Sequence, residues 1–415
     1  MNIENNEISF DFLRNSKQVR LSQIASPNAR IGWQNLRRSE FKDEGDVYII
    51  TGTDFINGTV NLKTCQYVDT PRYEMDDKIK IHENDILITK DGTIGKVAIV
   101  KGLDKKATLN AGVFVLNNIS KDVDSMYLYH YLRSPNLLNF INSQSTGGTI
   151  LHLNQSVLLN FPVQLPELHI QQKIAEFFTT LDEKIRIQFN TVDKLNAIKT
   201  GMLAKVFSYE NTLDWTVRKF DEIFALNRTF PVSRDQISDE CDKTSDNSKI
   251  IHYGDILTIY GNIVNPKSDS IGYLVTDVNA KDNDYLCDGD IVFADAAEDY
   301  TVGKAIELDG VDCKLLSGLH TIAARPKTTF ASGYLSYFFN SPLFKSQVRT
   351  LATGTKVMSL TKSSIQTTSI SFPSIEEQKK ISNLLNTLDN KIAVCNKKLE
   401  ALKQLKKAFM QRMFV

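Results

Sequence analysis

The sequence predicts an α+β protein: two mixed α/β domains, each followed by a long helix, with the two helices paired as an antiparallel coiled coil. Three observations lead to this fold class. The 415 residues exceed what one ordinary core encloses, so two or three domains are expected. The chain repeats itself once. Two segments also carry apolar residues at helical spacing over about 40 residues.

The composition, 42% hydrophobic and 24% charged, is that of a globular protein. No apolar run approaches the roughly 20 residues that span a bilayer, and the opening stretch MNIENNEISF does not resemble a signal peptide, so we expect no membrane association. The cysteines are far apart and never form a C-x-x-C pair, which argues against a zinc site or disulfides and favours a reducing cytoplasm. They are Cys65, Cys241, Cys287, Cys313 and Cys395.

Charge is distributed unevenly although the formal net charge is zero. Residues 1–165 carry 18 basic and 18 acidic side chains, and residues 166–208 carry 6 and 5. Residues 209–373 carry 16 and 22, whereas residues 374–415 carry 9 and 4. Because phosphate contacts need local Lys and Arg, the acidic third segment argues against unaided, nonspecific binding to DNA.

An internal repeat relates the two halves of the chain at an offset of 207 positions. The offset carries Leu153 to Leu360 and Pro166 to Pro373 without a gap. Further upstream the match loosens and the offset drifts. The best-matched stretch pairs Gln171, Ile174, Thr180, Leu181, Asp182, Lys184 and Ile185 with Gln378, Ile381, Thr387, Leu388, Asp389, Lys391 and Ile392.

Short β-type runs characterise the two globular segments, 1–165 and 209–373. The first contains VYII, DILIT, KVAIV and AGVFVL, and the second contains KII, DILTIY, DIVFA and KAIEL. Gly, Asn and Asp turns separate these runs. We interpret each segment as a mixed α/β domain.

The segments 166–208 and 374–415 are predicted to be long helices. One register places nine positions of each on a single stripe, of which seven are apolar in the first and eight in the second. An interior lysine occupies the same position of both stripes, Lys199 in the first and Lys406 in the second. An ordinary core helix is the alternative, but at ~1.5 Å per residue each helix runs roughly 60 Å, longer than a domain of ~150 residues is wide. We therefore expect a coiled-coil seam with a pseudo-two-fold axis and a globular domain at either end. The expected interface residues are Ile174, Phe178, Leu181, Ile185, Val192, Leu195, Ile381, Leu385, Leu388, Ile392, Leu399 and Leu402.

The two helix entries, LPELHIQQKIAEFFTTLDEKI and FPSIEEQKKISNLLNTLDNKI, each follow a Gly/Thr segment, STGGTILHLNQSVLLNFPVQ and ATGTKVMSLTKSSIQTTSIS. Over almost the whole chain this order resembles the specificity subunit of type I restriction-modification enzymes. The resemblance implies two target-recognition domains that each read half of a bipartite site in double-stranded DNA. It also implies conserved helices that dock two methyltransferase subunits, in a complex that admits two restriction (translocase/nuclease) subunits.

The resemblance further implies a non-catalytic chain without a cofactor of its own, in a bacterial or archaeal cytoplasm. S-adenosylmethionine, ATP and Mg are then expected in the partner subunits. The sequence agrees, since it has no H-E-x-x-H, nucleophile elbow, glycine-rich dinucleotide loop or Asn/Asp-Pro-Pro-aromatic motif, and its histidines are dispersed. Two alternatives stay open: a coiled-coil scaffold whose globular ends bind proteins, and an enzyme.

Candidate DNA contacts fall in three kinds of loop. The first is the stretch DGTIGK at 91–96, which has two residues where a phosphate loop needs four and is better interpreted as a β-turn between strands. The second is the Gly/Thr loop of each domain, which suits a DNA backbone or is a simple turn. The third carries arginines that could read guanine or be merely solvated. The candidates are Lys90, Thr93, Lys96 and Lys304; Thr146, Gly147, Gly148, Thr149, Thr353, Gly354, Thr355 and Lys356; and Arg37, Arg38, Arg228 and Arg234.

Overall fold

A computed structural model describes residues 3–4, 7–8, 16–32, 35–144, 152–240, 248–275 and 278–414. The chain forms two compact units, one made of residues 1–189 with 398–415 and the other of residues 190–397. Both units are mixed α/β with long helices, as the sequence predicts. The division falls inside the long helices rather than between domain and helix, so the domain boundaries at 165/166, 208/209 and 373/374 stay predictions. Among the described residues, no helix has the length and apolar character needed to cross a membrane.

Among its described residues, the first unit contains two larger sheets and two two-stranded sheets, the latter formed by residues 3–4 with 7–8 and by residues 17–20 with 162–165. One larger sheet has the strand order β4-β13-β10-β11-β7-β6 and the other β8-β5-β12-β9, with β5–β12 and β7–β11 parallel. The strands are β1 (Ile3–Glu4), β2 (Glu7–Ile8), β3 (Lys17–Arg20), β4 (Ser26–Asn28), β5 (Val47–Ile50), β6 (Phe55–Ile56), β7 (Thr59–Val60), β8 (Gln66–Val68), β9 (Lys80–Ile81), β10 (Ile86–Thr89), β11 (Val97–Ile99), β12 (Lys106–Leu109), β13 (Val113–Asn117) and β14 (Pro162–Leu165). The helices are α1 (Thr70–Glu74), α2 (Ser125–Leu132), α3 (Pro135–Ser143), α4 (Gln155–Leu159) and α5 (Leu168–Val206).

The central strands are mostly apolar because both of their faces are buried. In β10, Ile86 and Ile88 belong to the core that contains α2 and α3, whereas Leu87 between them belongs to a second core with residues of β5 and β12. Alternate side chains of a strand point to opposite faces, which explains this division. Strand β21 (Ile291–Ala294) of the second unit repeats this division, with Phe293 in one core and Val292 in the other.

The second unit has the strand orders β16-β25-β21-β23-β19 and β17-β20-β18-β24. Its strands are β15 (Thr216–Lys219), β16 (Phe224–Leu226), β17 (Ile237–Ser238), β18 (Lys249–Ile251), β19 (Ile263–Val264), β20 (Tyr273–Leu274), β21 (Ile291–Ala294), β22 (Ala296–Ala297), β23 (Ala305–Leu308), β24 (Leu315–Ser317), β25 (Thr321–Pro326), β26 (Met358–Ser359) and β27 (Ser369–Phe372). Its helices are α6 (Phe220–Ile223), α7 (Tyr253–Thr258), α8 (Tyr334–Phe339), α9 (Pro342–Leu351), α10 (Lys362–Gln366) and α11 (Ile375–Met413).

The repeated Ser-Pro pairs begin equivalent helices in the two domains. Ser134 caps α3 and Ser341 caps α9, each accepting a backbone N–H of the first turn with its hydroxyl. The proline that follows occupies the first helical position, where its missing N–H costs nothing. The matched order of the larger sheets, β4-β13-β10-β11-β7 and β16-β25-β21-β23-β19, agrees with this repeat. The two domains therefore share a topology although their sequences have diverged.

The repeated glutamines anchor the start of each long helix. Gln171 donates to the carbonyl of Pro166 at 2.9 Å, and its side-chain oxygen accepts the backbone N–H of Asp124 at 2.9 Å. Gln378 repeats both bonds, with Pro373 at 2.9 Å and the N–H of Ala331 at 3.0 Å. Each glutamine therefore ties its helix to the domain that precedes it through backbone groups.

The two long helices run antiparallel, as predicted. Within the first unit, Phe177 near the start of α5 packs on Phe409 near the end of α11, with ring centroids 5.0 Å apart. Within the second unit, Lys199 near the end of α5 bonds Asp389 in the first half of α11 at 2.5 Å. Of the predicted stripe, Ile174, Phe178, Leu181, Val192, Leu195, Leu385 and Leu399 are buried, and Ile185, Ile381, Leu388, Ile392 and Leu402 are half-buried.

Candidate nucleic-acid interface and partner surface

The DGTIGK stretch of the first domain is a turn between the antiparallel strands β10 and β11, so the β-turn interpretation is confirmed. The N–H of Lys96 donates to the Thr89 hydroxyl at 2.9 Å, and the N–H of Gly95 to the Thr89 carbonyl at 2.9 Å. Thr93 and Lys96 are exposed on this turn. Lys90 is half-buried, with its ammonium 5.6 Å from the centre of the Phe114 ring.

The segment after the first Gly/Thr loop lies beside this turn. The N–H of Leu153 donates to the carbonyl of Lys90 at 2.8 Å, and the His152 imidazole bonds the Asp91 carboxylate. The predicted contacts of the loop itself, Thr146, Gly147, Gly148 and Thr149, lie outside the described residues.

The second domain repeats this arrangement. Strand β22 pairs with β26, and the N–H of Leu360 donates to the carbonyl of Asp295 at 2.7 Å, so the chain after the second Gly/Thr loop lies beside the turn at 298–304. Gly354 has a φ of 128°, and a Cβ there would lie 1.9 Å from the carbonyl oxygen of Val357, so the loop requires glycine. The predicted contacts of this loop are all exposed: Thr353, Gly354, Thr355 and Lys356.

Lys304 differs from the other predicted phosphate contacts because its ammonium is directed into the domain. It donates to the carbonyls of Leu257 at 3.2 Å and Tyr260 at 3.1 Å, and burial lowers the pKa of the ammonium. An ammonium held by two carbonyls is a structural group, so we exclude Lys304 from the candidate interface.

Two cationic residues of α9 were not among the contacts predicted from the sequence. Arg349 is exposed and lies over the Tyr300 ring at 5.6 Å, which places it beside the turn at 298–304. Lys345, one helical turn earlier, is half-buried, and burial lowers the pKa of its ammonium. Lys345 and Arg349 are four residues apart on the helix that precedes the Gly/Thr loop. This spacing predicts that both cations lie on one face of the helix.

The four predicted arginines fall into two groups. Arg37 and Arg38 are exposed at a short 3₁₀ turn of the first domain. Arg228 donates to the carbonyl of Asn279 at 3.0 Å and lies 4.7 Å from the Phe230 ring centre, and Arg234 pairs with Asp255 at 2.9 Å. Arg228 and Arg234 therefore already make stabilising contacts within their own domain.

An apolar groove of about 710 Å³ lies between α5 and α11 in the first unit. Phe177, Leu402, Leu405 and Phe409 line it, together with the charged Lys173 and Lys184 and other residues of both helices. Leu405 is 46% exposed although it is a large apolar residue. Ile174, Leu181 and Leu402 of the predicted stripe form part of the groove wall, and Leu405 lies at its exposed side, so the groove is the solvent-facing margin of the helix pair in this unit.

Exposed apolar residues recur at the repeat offset on both helices. Ile198 is 51% exposed and is the counterpart of Leu405 at 46%. Ile187 and Val394 form a second such pair at 54% and 65%. Isolated exposed apolar residues are ordinary, but recurrence at equivalent positions of a repeat indicates a surface that is used twice.

Two domains of one topology, each leading into one member of an antiparallel helix pair and each exposing loops with cations beside them, define a DNA-specificity protein built on a helical frame. The chain belongs to the type I restriction-modification DNA specificity family, whose domain matches twice, at residues 15–200 and 212–404. It is a specificity subunit, the component that confers DNA sequence specificity and is not itself catalytic.

Several known proteins are similar to this chain. The MjaVIII specificity subunit of Methanocaldococcus jannaschii is 26% identical over 355 residues, covering 80% of this chain and 79% of that one. The EcoBI specificity subunit of Escherichia coli is 26% identical over 185 residues, 44% and 39% of the two chains. The solved S subunit from M. genitalium shares the fold with a TM-score of 0.60 at 15% identity, covering 100% of this chain and 98% of that one.

Proposed function

We propose that the chain reads a bipartite DNA site, one half with each recognition domain, while the helix pair holds two methyltransferase subunits. The observation that carries the proposal is the uneven divergence of the repeat. The helices match at a constant offset, whereas the domains keep only their topology. Such a pattern is expected where sequence preference must vary and a docking surface must stay the same.

The recurring exposed apolar residues support two copies of one partner. Each unit presents an equivalent position, Leu405 in the first and Ile198 in the second, and such residues are favourably covered by a protein surface. Two restriction (translocase/nuclease) subunits complete the complex where a nuclease is present. S-adenosylmethionine, ATP and Mg then belong to these partners.

Phosphate contacts are assigned to the exposed ends of the two domains. In the first domain these are Lys90, Thr93 and Lys96, beside the segment 152–153 that follows the Gly/Thr loop in the chain. In the second they are the loop 353–356 with Lys345 and Arg349. Arg37 and Arg38 are the candidates for reading guanine in the first domain. The second domain stays acidic overall, so part of the neutralisation of its half-site comes from the methyltransferase that covers it.

We expect Lys96→Ala and Lys356→Ala each to weaken DNA binding by the assembled complex at all sequences alike. Each lost phosphate contact should lower the slope of log affinity against log salt by about 0.9. Fluorescence anisotropy over a salt series measures this slope. Lys403→Ala, an exposed lysine of α11 paired with Glu400 at 2.7 Å, is the control and should leave the slope unchanged. Equal slopes for all variants would remove these two lysines from the interface.

We expect Leu405→Asp and Ile198→Asp each to remove one methyltransferase subunit from the complex. A carboxylate at the centre of an apolar interface is left unpaired when the partner docks, whereas in the free chain it faces water. Native mass spectrometry should show one methyltransferase per chain for each single variant and none for the double variant. The melting temperature of the free chain should change by no more than about 2 °C.

Leu213→Asp, at a largely exposed position outside the long helices, is the matched control and should retain two partner subunits. Retention of both partners by the double variant would place the docking surface elsewhere. Loss of both partners from a single variant would show that the two surfaces are not independent.

Lengthening both helices by one heptad should lengthen the unread gap of the DNA site and leave the bases unchanged. The insertions go between Phe189 and Asn190 and between Lys397 and Lys398, so that the contacts within each unit are kept. Seven residues add ~10 Å of helix, about three base pairs of duplex. Methylation-sensitive sequencing of the host genome reads the gap. A change in the recognised bases at constant spacing would contradict the spacer role.

A further inference from the structure

Each unit contains a Lys–Asp pair that joins the two long helices inside their apolar seam. In the first unit the Lys406 ammonium bonds the Asp182 carboxylate, and in the second Lys199 bonds Asp389 at 2.5 Å. Both aspartate side chains are 28% exposed. Lys406 and Lys199 occupy equivalent stripe positions of their helices. A lysine inside such a stripe weakens the apolar seam, so its presence in both repeats requires a physical reason.

The spacing of the charges selects one direction for the helices. The aspartate and the lysine stand 17 positions apart on each helix, Asp182 before Lys199 and Asp389 before Lys406. In an antiparallel pair, one register therefore satisfies both Lys–Asp contacts at once. A parallel pair aligned on the repeat would bring aspartate against aspartate and lysine against lysine, and like charges in a seam repel.

The same charges select the register. A slip by one heptad would place Asp182 opposite Leu399 or Met413, both of which are buried and apolar. Lys199 would then stand opposite Ser382 or Asn396, and neither carries an opposite charge. The apolar stripe alone does not discriminate in this way, since leucine and isoleucine recur along its whole length. Asp182 would keep Arg133 as a partner, but Lys406, Lys199 and Asp389 would lose their opposite charge inside the seam, which makes the slipped states unfavourable.

The domains complete the two pairs differently. Arg133 donates to Asp182 at 2.8 Å, whereas Tyr337 donates to Asp389 at 2.8 Å. Burial, with Arg133 nearby, lowers the pKa of Lys406 to about 8. The long helices therefore contribute the same kind of Lys–Asp pair in both units. Each domain adds a different side chain to its pair, Arg133 in the first and Tyr337 in the second.

We propose that the pairs Asp182–Lys406 and Asp389–Lys199 fix the antiparallel direction and the register of the two helices, and that Lys199 and Lys406 are positioning residues for the spacing of the two half-sites. The part that concerns helix register stands on the contacts alone. The part that concerns spacing on DNA rests on the proposed function.

The second pair offers the cleaner test, because its domain partners are uncharged. The single variants Lys199→Asp and Asp389→Lys place like charges face to face, and the double variant restores an ion pair with reversed polarity. Lys194→Asp, at an exposed position of α5, is the control for the change in charge. We expect each single variant to melt roughly 5 °C lower, and the double variant and the control to melt close to the parent chain.

Register is measured by the distance between spin labels at Ile198 and Leu384, two exposed positions of the second unit, in a chain whose accessible cysteines are replaced by serine. The single variants should broaden the distance distribution or move it by about 5 Å per helical turn of slip. The double variant should restore one distance. An unchanged distance in the single variants, or no rescue in the double variant, would overturn the assignment of register to these pairs.

Methylation of genomic DNA by the assembled complexes separates the two parts of the proposal. The single variants should methylate less or accept altered gaps, and the double variant should recover the parent gap. If register moved but the gap did not, the link between helix register and half-site spacing would fail while the role of the pairs in register stood.

Discussion

Replacing residues 209–373 with the corresponding domain of a related specificity subunit is expected to change one half of the methylated DNA sequence and to leave the other half unchanged. The ends of this segment lie together, since β15 pairs with β27 and Thr216 stands opposite Phe372. A segment that leaves and re-enters the fold at one place can be exchanged with little disturbance. Its tie to α11 also transfers, because Gln378 accepts a backbone N–H that any domain can supply.

Long-read methylation sequencing of cells that express the chimaera with its methyltransferase measures both half-sites. The parent chain with the same methyltransferase provides the reference sequence. The chain without the methyltransferase should methylate nothing, which controls for activity from other sources. A change in both halves would show that the domains do not read independently, and an unchanged site would place the reading residues outside 209–373.

Leu181→Asp is expected to destabilise the first unit and to abolish assembly with the methyltransferase. Leu181 is 5% exposed and stands one position before the Asp182–Lys406 pair. The new carboxylate would lose the apolar packing of leucine and add an unpaired charge to the seam. Together these effects cost about 3–5 kcal/mol, or a fall in melting temperature of roughly 10 °C.

Leu388→Asp, at the equivalent half-buried position of α11, should show the same effect with a smaller fall. Ala197→Asp adds the same charge at an exposed position of α5 and is the matched control, which should melt like the parent chain. Differential scanning calorimetry and co-purification provide the two readouts. A parent-like melting temperature for Leu181→Asp would show that the stripe is not a buried seam.

The two mutation classes on the helices have different signatures. A stripe variant lowers the stability of the free chain and loses the partner as a consequence. A groove variant such as Leu405→Asp keeps the stability and loses only the partner. This difference separates residues that hold the helices together from residues that meet another subunit.

The sequence alone determined the features that depend on local pattern. The repeat offset, the helical period after Pro166 and Pro373, and the β-type runs each follow from neighbouring residues, whose spacing decides which face is buried. Family membership follows from the same stretches. Even the turn at 91–96 was predictable, because its residues are consecutive.

Only the tertiary structure decided what the charged side chains do. The sequence predicts that Lys304 is a surface lysine. In the structure its ammonium donates to the carbonyls of Leu257 and Tyr260, which lie more than 40 positions earlier in the chain. The four-residue spacing of Lys345 and Arg349 was visible in the sequence, but only the fold places Tyr300, and with it the turn at 298–304, beside Arg349. From the sequence alone, a lysine inside an apolar stripe is expected to destabilise the helix pair. The structure shows that Asp182 or Asp389 of the opposite helix pairs with it, and the free energy of a charge depends on its neighbours in space.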